Sequence, residues 1–420
     1  MEIRFLGACG EVGRSAFLIN DEVLLDYGIA PSDPPRYPID GIRPKSVIIS
    51  HGHLDHTGIL PNLMDLNPEI FMTAVTRELA YLLGKDTLKI GERSGSQPFE
   101  SADLQRMYTR AMLVDYRDEF DLADGYRATL FDAGHIPGSS LIHLSEAGAK
   151  GLSLLYTGDM KDTATRLLSG SDNHYPSADI LLVESTYFGE KHPDRRELEK
   201  AFIESVRETL DLGGVAIIPC FAIGRTQEIL TLLYQHGIDP VLDGMGIEVT
   251  RHFLAFPAFL RDVKTLEKAF GAATLIRRGR GRKKAIEGPS VIVTTAGMLN
   301  GGPAFYYLKK LHEDPSNKIL LTGYQVEGTN GRTLLEHGYL DIDGRIFRPK
   351  MALEQYDFSA HLDDTGLKHL VRSMCDRGVE IVFPIHGEGT EDFARWIHED
   401  IGCDAIAPTL GESIVVDLRP

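Results

Sequence analysis

Ser50-His51-Gly52-His53-Leu54-Asp55-His56-Thr57-Gly58 is the stretch on which the reading of this chain turns. Three histidines and an aspartate fall within six residues, directly after the apolar run Ser46-Val47-Ile48-Ile49. Imidazole and carboxylate are the usual nitrogen and oxygen ligands of zinc. Alternate residues of an extended chain face the same way, so His51 and His53 can reach one metal ion. Asp55 and His56 follow a turn and can reach a second. This is a loop after a strand, unlike the helical H-E-x-x-H pattern with ligands at i and i+4. The bland reading is a hydrogen-bonded histidine cluster, and the spacing and strand context weigh against it.

One loop cannot fill a two-metal site. Four further candidates stand where apolar runs end: Asp26 after Val23-Leu24-Leu25, His135 in Asp132-Ala133-Gly134-His135, Asp159 in Tyr156-Thr157-Gly158-Asp159, and His386 in Pro384-Ile385-His386-Gly387-Glu388. Taken singly, each is as well explained as a turn or packing residue. Their joint occurrence, in this order, lifts them.

The order H-x-H-x-D-H, D-A-G-H, T-G-D resembles the metallo-β-lactamase superfamily. Glu184-Ser185-Thr186-Tyr187, Phe358-Ser359-Ala360-His361 and the segment around His386 resemble the three extra motifs of its β-CASP nuclease branch. The match spans nearly the whole chain and is similar to the shorter archaeal cleavage-and-polyadenylation-specificity-factor-like nucleases, those without KH domains. The resemblance implies an α/β fold: a metallo-β-lactamase αββα sandwich with an inserted parallel α/β domain. The expected division is 1–190 and 356–420 for the sandwich and 191–355 for the β-CASP domain, with the active site in the cleft between them.

The resemblance also implies roles. His51, His53, His135 and Asp159 would hold one Zn2+, and Asp55, His56, Asp159 and His386 a second, Asp159 bridging. Asp26 would orient ligands or the nucleophile. His361 would be the general acid, since histidine titrates near working pH. Glu184 would hydrogen-bond His361 and favour its charged form; the alternative is a pair that merely joins two domains. Histidine at position 386 goes with RNA rather than DNA in the resembled branch. The implied reaction is hydrolysis of single-stranded RNA, as endonuclease or 5′→3′ exonuclease, in RNA 3′-end processing or decay. Relatives dimerise through their C-terminal portion, so a homodimer is expected, and residues 413–418 serve either that interface or the core. Without KH domains, target selection would fall to an RNA-processing protein partner. Two rival readings remain open: a small-molecule metallohydrolase of the same superfamily, and a non-catalytic RNA-binding partner.

The remainder of the chain fits this picture. With 43% hydrophobic and 25% charged residues it has a globular composition, and its 420 residues exceed what one core usually supports. A net charge of −17 argues against a general polyanion binder but leaves room for a local basic track. Cys9, Cys220, Cys375 and Cys403 show no C-x-x-C spacing, so neither a disulfide framework nor a cysteine zinc site is expected. No signal peptide and no membrane span are read, so the expected location is cytoplasmic. The first 190 residues read as short strands. Beyond residue 195, strand–helix alternation predicts a parallel α/β domain.

Within it, Gly224-Arg225-Thr226-Gln227-Glu228 opens a helix, which makes Arg225 a candidate RNA phosphate contact; the alternative is an arginine paired with Glu228. Thr294-Thr295-Ala296-Gly297 resembles a loop of the family with Ser in place of Ala296, leaving backbone N–H groups around Gly297 as the RNA contact. Residues 277–284 (RRGRGRKK) carry six cations and either recruit RNA or form a solvated loop. Gly7-x-x-Gly10-x-x-Gly13 precedes a strand, not a helix, so it reads as a turn rather than a nucleotide loop.

Overall fold

Short apolar runs broken by glycine and charged turns become the strands of two seven-stranded sheets. The computed structural model describes residues 1–417 other than 31, 33, 149, 150 and 278. Two residues named above, Arg278 of the basic run and Leu418 of the segment 413–418, lie outside the described residues. The chain divides into two compact units, one of residues 1–164, 170–191 and 360–420, the other of residues 165–169 and 192–359.

In the first unit, one sheet runs Ser413–Val415, Glu2–Phe5, Phe17–Ile19, Val23–Leu25, Ser46–Ile48, Glu69–Met72, Ala111–Leu113. The segment Ser413–Val415 pairs antiparallel with Glu2–Phe5 and forms the sheet's edge. The other sheet runs Asp404–Ala405, Ile381–Ile385, Ile180–Glu184, Ser153–Tyr156, Ser140–Glu146, Tyr126–Asp132, Glu119–Asp121. Side chains of the facing surfaces, including Ile3, Phe5, Phe17, Ile142, Tyr156 and Phe383, form one buried cluster. Each outer face carries helices. Leu88 from Ala74–Ser94 and Leu104 and Met107 from Ser101–Arg110 pack with Val47 and Ile70. Leu367, Val371 and Met374 from Asp364–Asp376 pack with Leu181 and Val382. Sheets with two apolar faces must be covered on both, and the αββα order follows.

The second unit holds a six-stranded sheet in the order Thr274–Leu275, Val241–Asp243, Ser290–Thr294, Val215–Pro219, Lys318–Leu321, Ala352–Gln355. Every pairing in it is parallel. Its central strands Val215–Pro219 and Ser290–Thr294 are near-continuous apolar runs, as strands buried on both faces require. One flank gathers Phe202, Ile229, Leu233 and Val293, the other Ile292, Tyr307, Leu308 and Ile319. The basic run is not only loop, because Gly279–Ala285 is helical. Among the described residues no helix is long and apolar enough to cross a membrane.

Candidate metal centre

Strand direction brings the candidate ligands together. Val23–Leu25 and Ser46–Ile48 are parallel, and their C-terminal ends lead to Asp26 and to the histidine loop. Ser153–Tyr156, Ile180–Glu184 and Ile381–Ile385 are mutually parallel and lead to Asp159, Glu184 and His386. Tyr126–Asp132 is antiparallel to Ser140–Glu146, which is antiparallel to Ser153–Tyr156. It therefore runs with the other three, and His135 follows its end.

The loop after Ser46–Ile48 is pinned by backbone bonds. Tyr27 N–H donates to the His56 carbonyl and Ile29 N–H to that of Leu54, both at 2.9 Å. A Cβ at Gly28 would lie 1.8 Å from the Asp55 carbonyl oxygen, so only glycine permits this approach. The His135 loop is tied to the helix beginning at Ala74. The hydroxyls of Thr73 and Thr76 donate to the Gly138 carbonyl at 2.9 and 3.0 Å. Ser139 Oγ accepts the His135 backbone N–H at 3.2 Å.

Two ligand sets share one carboxylate. In the first, His53 Nδ1 lies 3.1 Å from His51 Nε2 and 3.2 Å from His135 Nε2. Both Nε2 atoms lie 3.5 Å from Asp159 Oδ2. In the second, Asp159 Oδ1 lies 3.3 Å from His56 Nε2 and 3.6 Å from His386 Nδ1. Asp55 Oδ2 lies 3.4 Å from His386 Nε2 and 4.0 Å from His56 Nε2. Ligands of a tetrahedral zinc at 2.0–2.1 Å stand about 3.3 Å apart, so the first set has the spacing zinc requires. The donor chemistry fits as well. Among the described residues His56 Nε2, Asp159 Oδ1 and His386 Nε2 are buried without a hydrogen-bond partner. Buried polar atoms are rarely left so, and three on one site call for a shared ligand.

Four of the five rings are also held through Nδ1. His56 Nδ1–H donates to Asp26 Oδ2 at 2.7 Å, and His135 Nδ1–H to the Ala360 carbonyl at 2.9 Å. His51 Nδ1 meets Ser50 Oγ at 3.1 Å, and His386 Nδ1 meets Thr186 Oγ1 at 3.2 Å. Such contacts fix the tautomer and aim the other nitrogen at the centre. Asp26 is fully buried behind His56 and also accepts from Ser50 N, Ser50 Oγ and Tyr156 OH. Its contact with His56 Nδ1 is that of a residue that orients a ligand, the role expected of it from the sequence. Asp26 and His386 both take positive φ, 58° and 51°, uncommon for residues with a side chain.

Burial pushes the His51 and His135 imidazoles well below their usual range, and His53 below it, against the pull of nearby carboxylates. Neutral imidazole is the ligand form. For His56, burial is outweighed by Asp159, Asp26 and Asp55, which raise it. Burial opposes the Asp159 charge, yet His386 and His56 hold its carboxyl well below the usual range.

Glu184 and His361 stand beside the first set. Glu184 is wholly buried; its Oε1 accepts Met160 N–H and its Oε2 accepts His361 Nδ1–H at 2.8 Å. His361 Nε2 lies 3.9 Å from Asp159 Oδ2. Burial disfavours a charged His361, but Glu184 and Asp159 overcome it and push the imidazole up to about 9. Lys161 Nζ donates to the His361 carbonyl at 2.9 Å, a support without a sequence signal. Ser50, Tyr156 and Thr186 were also missed as supports, although each lies inside a motif that marks the site.

The two proposed RNA contacts are placed in the second unit. Arg225 is buried, its Nη1 donates to Glu228 Oε2 at 2.7 Å, and its guanidinium lies 5.7 Å from the Phe358 ring centroid. The pairing with Glu228 is thus the observed state, with Arg225 held inside its unit. A Cβ at Gly297 would lie 2.9 Å from Phe221 N, so packing alone accounts for that glycine.

Residues 9–186 match the metallo-beta-lactamase superfamily, residues 226–334 a Beta-Casp domain, and residues 348–408 a Zn-dependent metallo-hydrolase RNA specificity domain. The chain is 40% identical to a probable RNase MJ4 of Methanocaldococcus jannaschii, over 99% of this chain and 100% of the relative. It is 35% identical to RNase aCSPSF2 of Saccharolobus solfataricus, over 98% of this chain and 85% of the relative. It is 34% identical to the transcription termination factor FttA of Thermococcus kodakarensis, over 97% and 70%.

Proposed function

This chain belongs to the metallo-β-lactamase superfamily and carries its Beta-Casp and RNA-specificity domains, and on that premise we propose that it is a zinc-dependent ribonuclease cleaving single-stranded RNA. The observation that carries the reading is Asp159, whose two oxygens face two separate ligand sets while Oδ2 also faces His361. His51, His53, His135 and Asp159 would hold one zinc, and Asp55, His56, Asp159 and His386 the other. Bound there, the pair would make water nucleophilic near neutral pH and neutralise charge on a phosphodiester.

His361 carries a proton at Nε2 while Nδ1–H is spent on Glu184. It delivers the Nε2 proton to the departing 3′ oxygen, leaving a 3′ hydroxyl on one fragment and a 5′ phosphate on the other. Glu184 keeps the imidazole charged and turned to present Nε2. Asp26 holds His56 with Nε2 toward the centre. Ligand positions that are all filled speak against a non-catalytic partner. The same reading carries a homodimer, a cytoplasmic location and an RNA-processing protein as partner, and sedimentation tests the first.

The test uses one zinc-assayed preparation and two RNAs of equal sequence, one with a 5′ triphosphate and one with a 5′ monophosphate. Internal fragments that vanish in His361→Ala support an endonuclease with His361 as the acid. Mononucleotides from the monophosphate substrate alone make it a 5′→3′ exonuclease. Both substrates intact with zinc-loaded wild type would overturn the reading.

A further inference from the structure

The chain is acidic overall, yet its cations are not evenly spread. Residues 277–284 hold six of them, and the ribonuclease reading leaves this run without a role. Arg277, Arg280, Lys283 and Lys284 are exposed, and among the described residues none of them has a carboxylate within ion-pair distance. Arg282, on the same short helix Gly279–Ala285, is fixed. Its Nε and one terminal nitrogen clasp the two oxygens of Asp243 at 2.6 and 3.1 Å. Asp243 is itself buried and accepts Tyr307 OH at 2.8 Å. A bidentate pair seated on a buried, hydroxyl-braced carboxylate anchors the helix. It also leaves donors on the guanidinium for another acceptor, since Arg has five N–H groups.

Beside this anchor lies a cavity of about 570 Å³, lined among others by Arg251, Arg277, Arg282, Asp243 and Glu248. Asp243 is spent on Arg282, and Glu248 on Arg251. The cavity opens at the C-terminal ends of the parallel strands Val241–Asp243 and Thr274–Leu275. That is where open parallel sheets take ligands. Arg282 also lies 5.9 Å from the Tyr306 ring centroid. The three arginines around the cavity outnumber its two carboxylates by one, and with the exposed cations of the helix they form a track for repeated monoanions, not a socket for one small ligand.

We propose that the helix Gly279–Ala285 and the arginine-lined cavity beside Asp243 form a second contact site that grips the phosphodiester backbone of single-stranded RNA. The choice of RNA rests on the ribonuclease reading. The site reads no sequence: it adds affinity through phosphate charge and concentrates substrate on a protein whose net charge of −17 otherwise repels it.

The test is RNA binding by the whole, metal-free chain, so that cleavage does not intervene. Wild type is compared with the triple variant Arg280→Glu, Lys283→Glu, Lys284→Glu and with the milder Arg280→Gln, Lys283→Gln, Lys284→Gln. A fluorescent single-stranded RNA is titrated across a salt series. Each phosphate contact on a single strand contributes about 0.7 to the slope of log K against log salt. The glutamate variant should therefore show a slope shallower by about 2 and at least a tenfold weaker Kd at physiological salt. The glutamine variant should show the same slope change with a smaller loss. Unchanged Kd and slope in both variants would overturn the contact. An equal loss toward duplex DNA would overturn its assignment to single strands. If metal-loaded wild type binds RNA but cleaves none, the nuclease reading fails and the contact stands; cleavage with unaltered binding in both variants gives the reverse.

Discussion

Replacing Asp26 by Asn keeps the shape of a fully buried side chain and changes only what its two terminal atoms can do. Oδ1 accepts the Ser50 backbone N–H at 2.7 Å. Oδ2 accepts Ser50 Oγ–H at 2.6 Å, His56 Nδ1–H at 2.7 Å and Tyr156 O–H at 2.7 Å. If the amide oxygen takes the Oδ2 position, the NH₂ group faces the Ser50 N–H, and a buried donor is stranded. If it takes the Oδ1 position, the two hydroxyls can turn and accept from the NH₂ group. His56 cannot do so unless its proton moves to Nε2, which withdraws that nitrogen from the ligand set. The first arrangement costs about 1–3 kcal/mol for the stranded donor plus part of the gain of bonding to a charged acceptor, about 3 kcal/mol in all. For a unit of this size that is a fall in Tm of about 6–12 °C in the metal-free protein. The second arrangement spares stability and weakens zinc by about 10–100-fold, as loss of such a support does. Metal-free calorimetry and zinc titration against a competing chelator, done on both proteins, separate the two. An Asp26→Asn protein with unchanged Tm and unchanged zinc affinity would refute the positioning role.

Chelation of the wild type should lower its Tm, and restoring zinc to about 100 times its Kd should return about 2.7 kcal/mol, read by calorimetry. His361→Ala should lose about 10²–10⁴-fold in kcat while RNA affinity and zinc content stay at wild-type values. Gly28→Ala should be among the most damaging surface-remote changes, about 4 kcal/mol or more, because the new Cβ meets the Asp55 carbonyl at 1.8 Å; soluble yield and zinc uptake report it. Glu199 gives a pH test in the second unit. Burial raises its carboxyl, but Arg166 and Arg195 more than offset this and hold it below the usual range. A depressed folded value contributes stability above the unfolded value and loses it as pH falls through the folded one. Glu199→Gln should thus cost about 1.5–3 kcal/mol near neutral pH, and its Tm should converge on that of wild type below about pH 4.

The candidate ligands were legible because their chemistry is rare and their positions are local. His51 to His56 announce themselves by spacing, His135, Asp159 and His386 by standing in order at the ends of apolar runs, and Glu184, the partner of His361, by the resemblance of its motif. Asp26 was legible as a candidate that orients other groups, but the groups it holds were not. Whether a strand-end carboxylate points into a site or lies behind a histidine depends on four donors from residues 50, 56 and 156, all distant from it in sequence. Thr186 and Lys161 stayed hidden for the same reason: a threonine or lysine that braces a histidine 200 residues away leaves no periodic trace. Arg225 shows the converse. A helix-opening arginine reads as a phosphate contact, and its burial against Phe358 and Glu228 is a tertiary fact.

The fold was legible where strands are apolar throughout, as in Ile180–Glu184 and Val215–Pro219, and where a helix has a sharp start, as in Arg225–Gln235. It was not legible at Ala111–Leu113, Glu119–Asp121 or Ala352–Gln355, whose residues are largely exposed or half-buried and carry little pattern. These are sheet margins, and their conformation is imposed by a neighbouring strand, so propensity is a weak guide there. The site itself escapes this limitation. Strands that run the same way present their C-terminal ends at one edge of a sheet, whatever lies between them in sequence. Tyr126–Asp132, Ser153–Tyr156, Ile180–Glu184 and Ile381–Ile385 do so here, and each delivers one functional side chain at its end or just beyond it. Facing them, Val23–Leu25 and Ser46–Ile48 deliver Asp26 and the histidine loop. Ligands collected in this way need no shared loop, only a common strand direction and a residue that can turn the chain at each end. The positive φ of Asp26, Gly134, Gly158 and His386 marks those turns. A substitution that forbids one of them should remove a ligand without touching the core that holds the other strands in place.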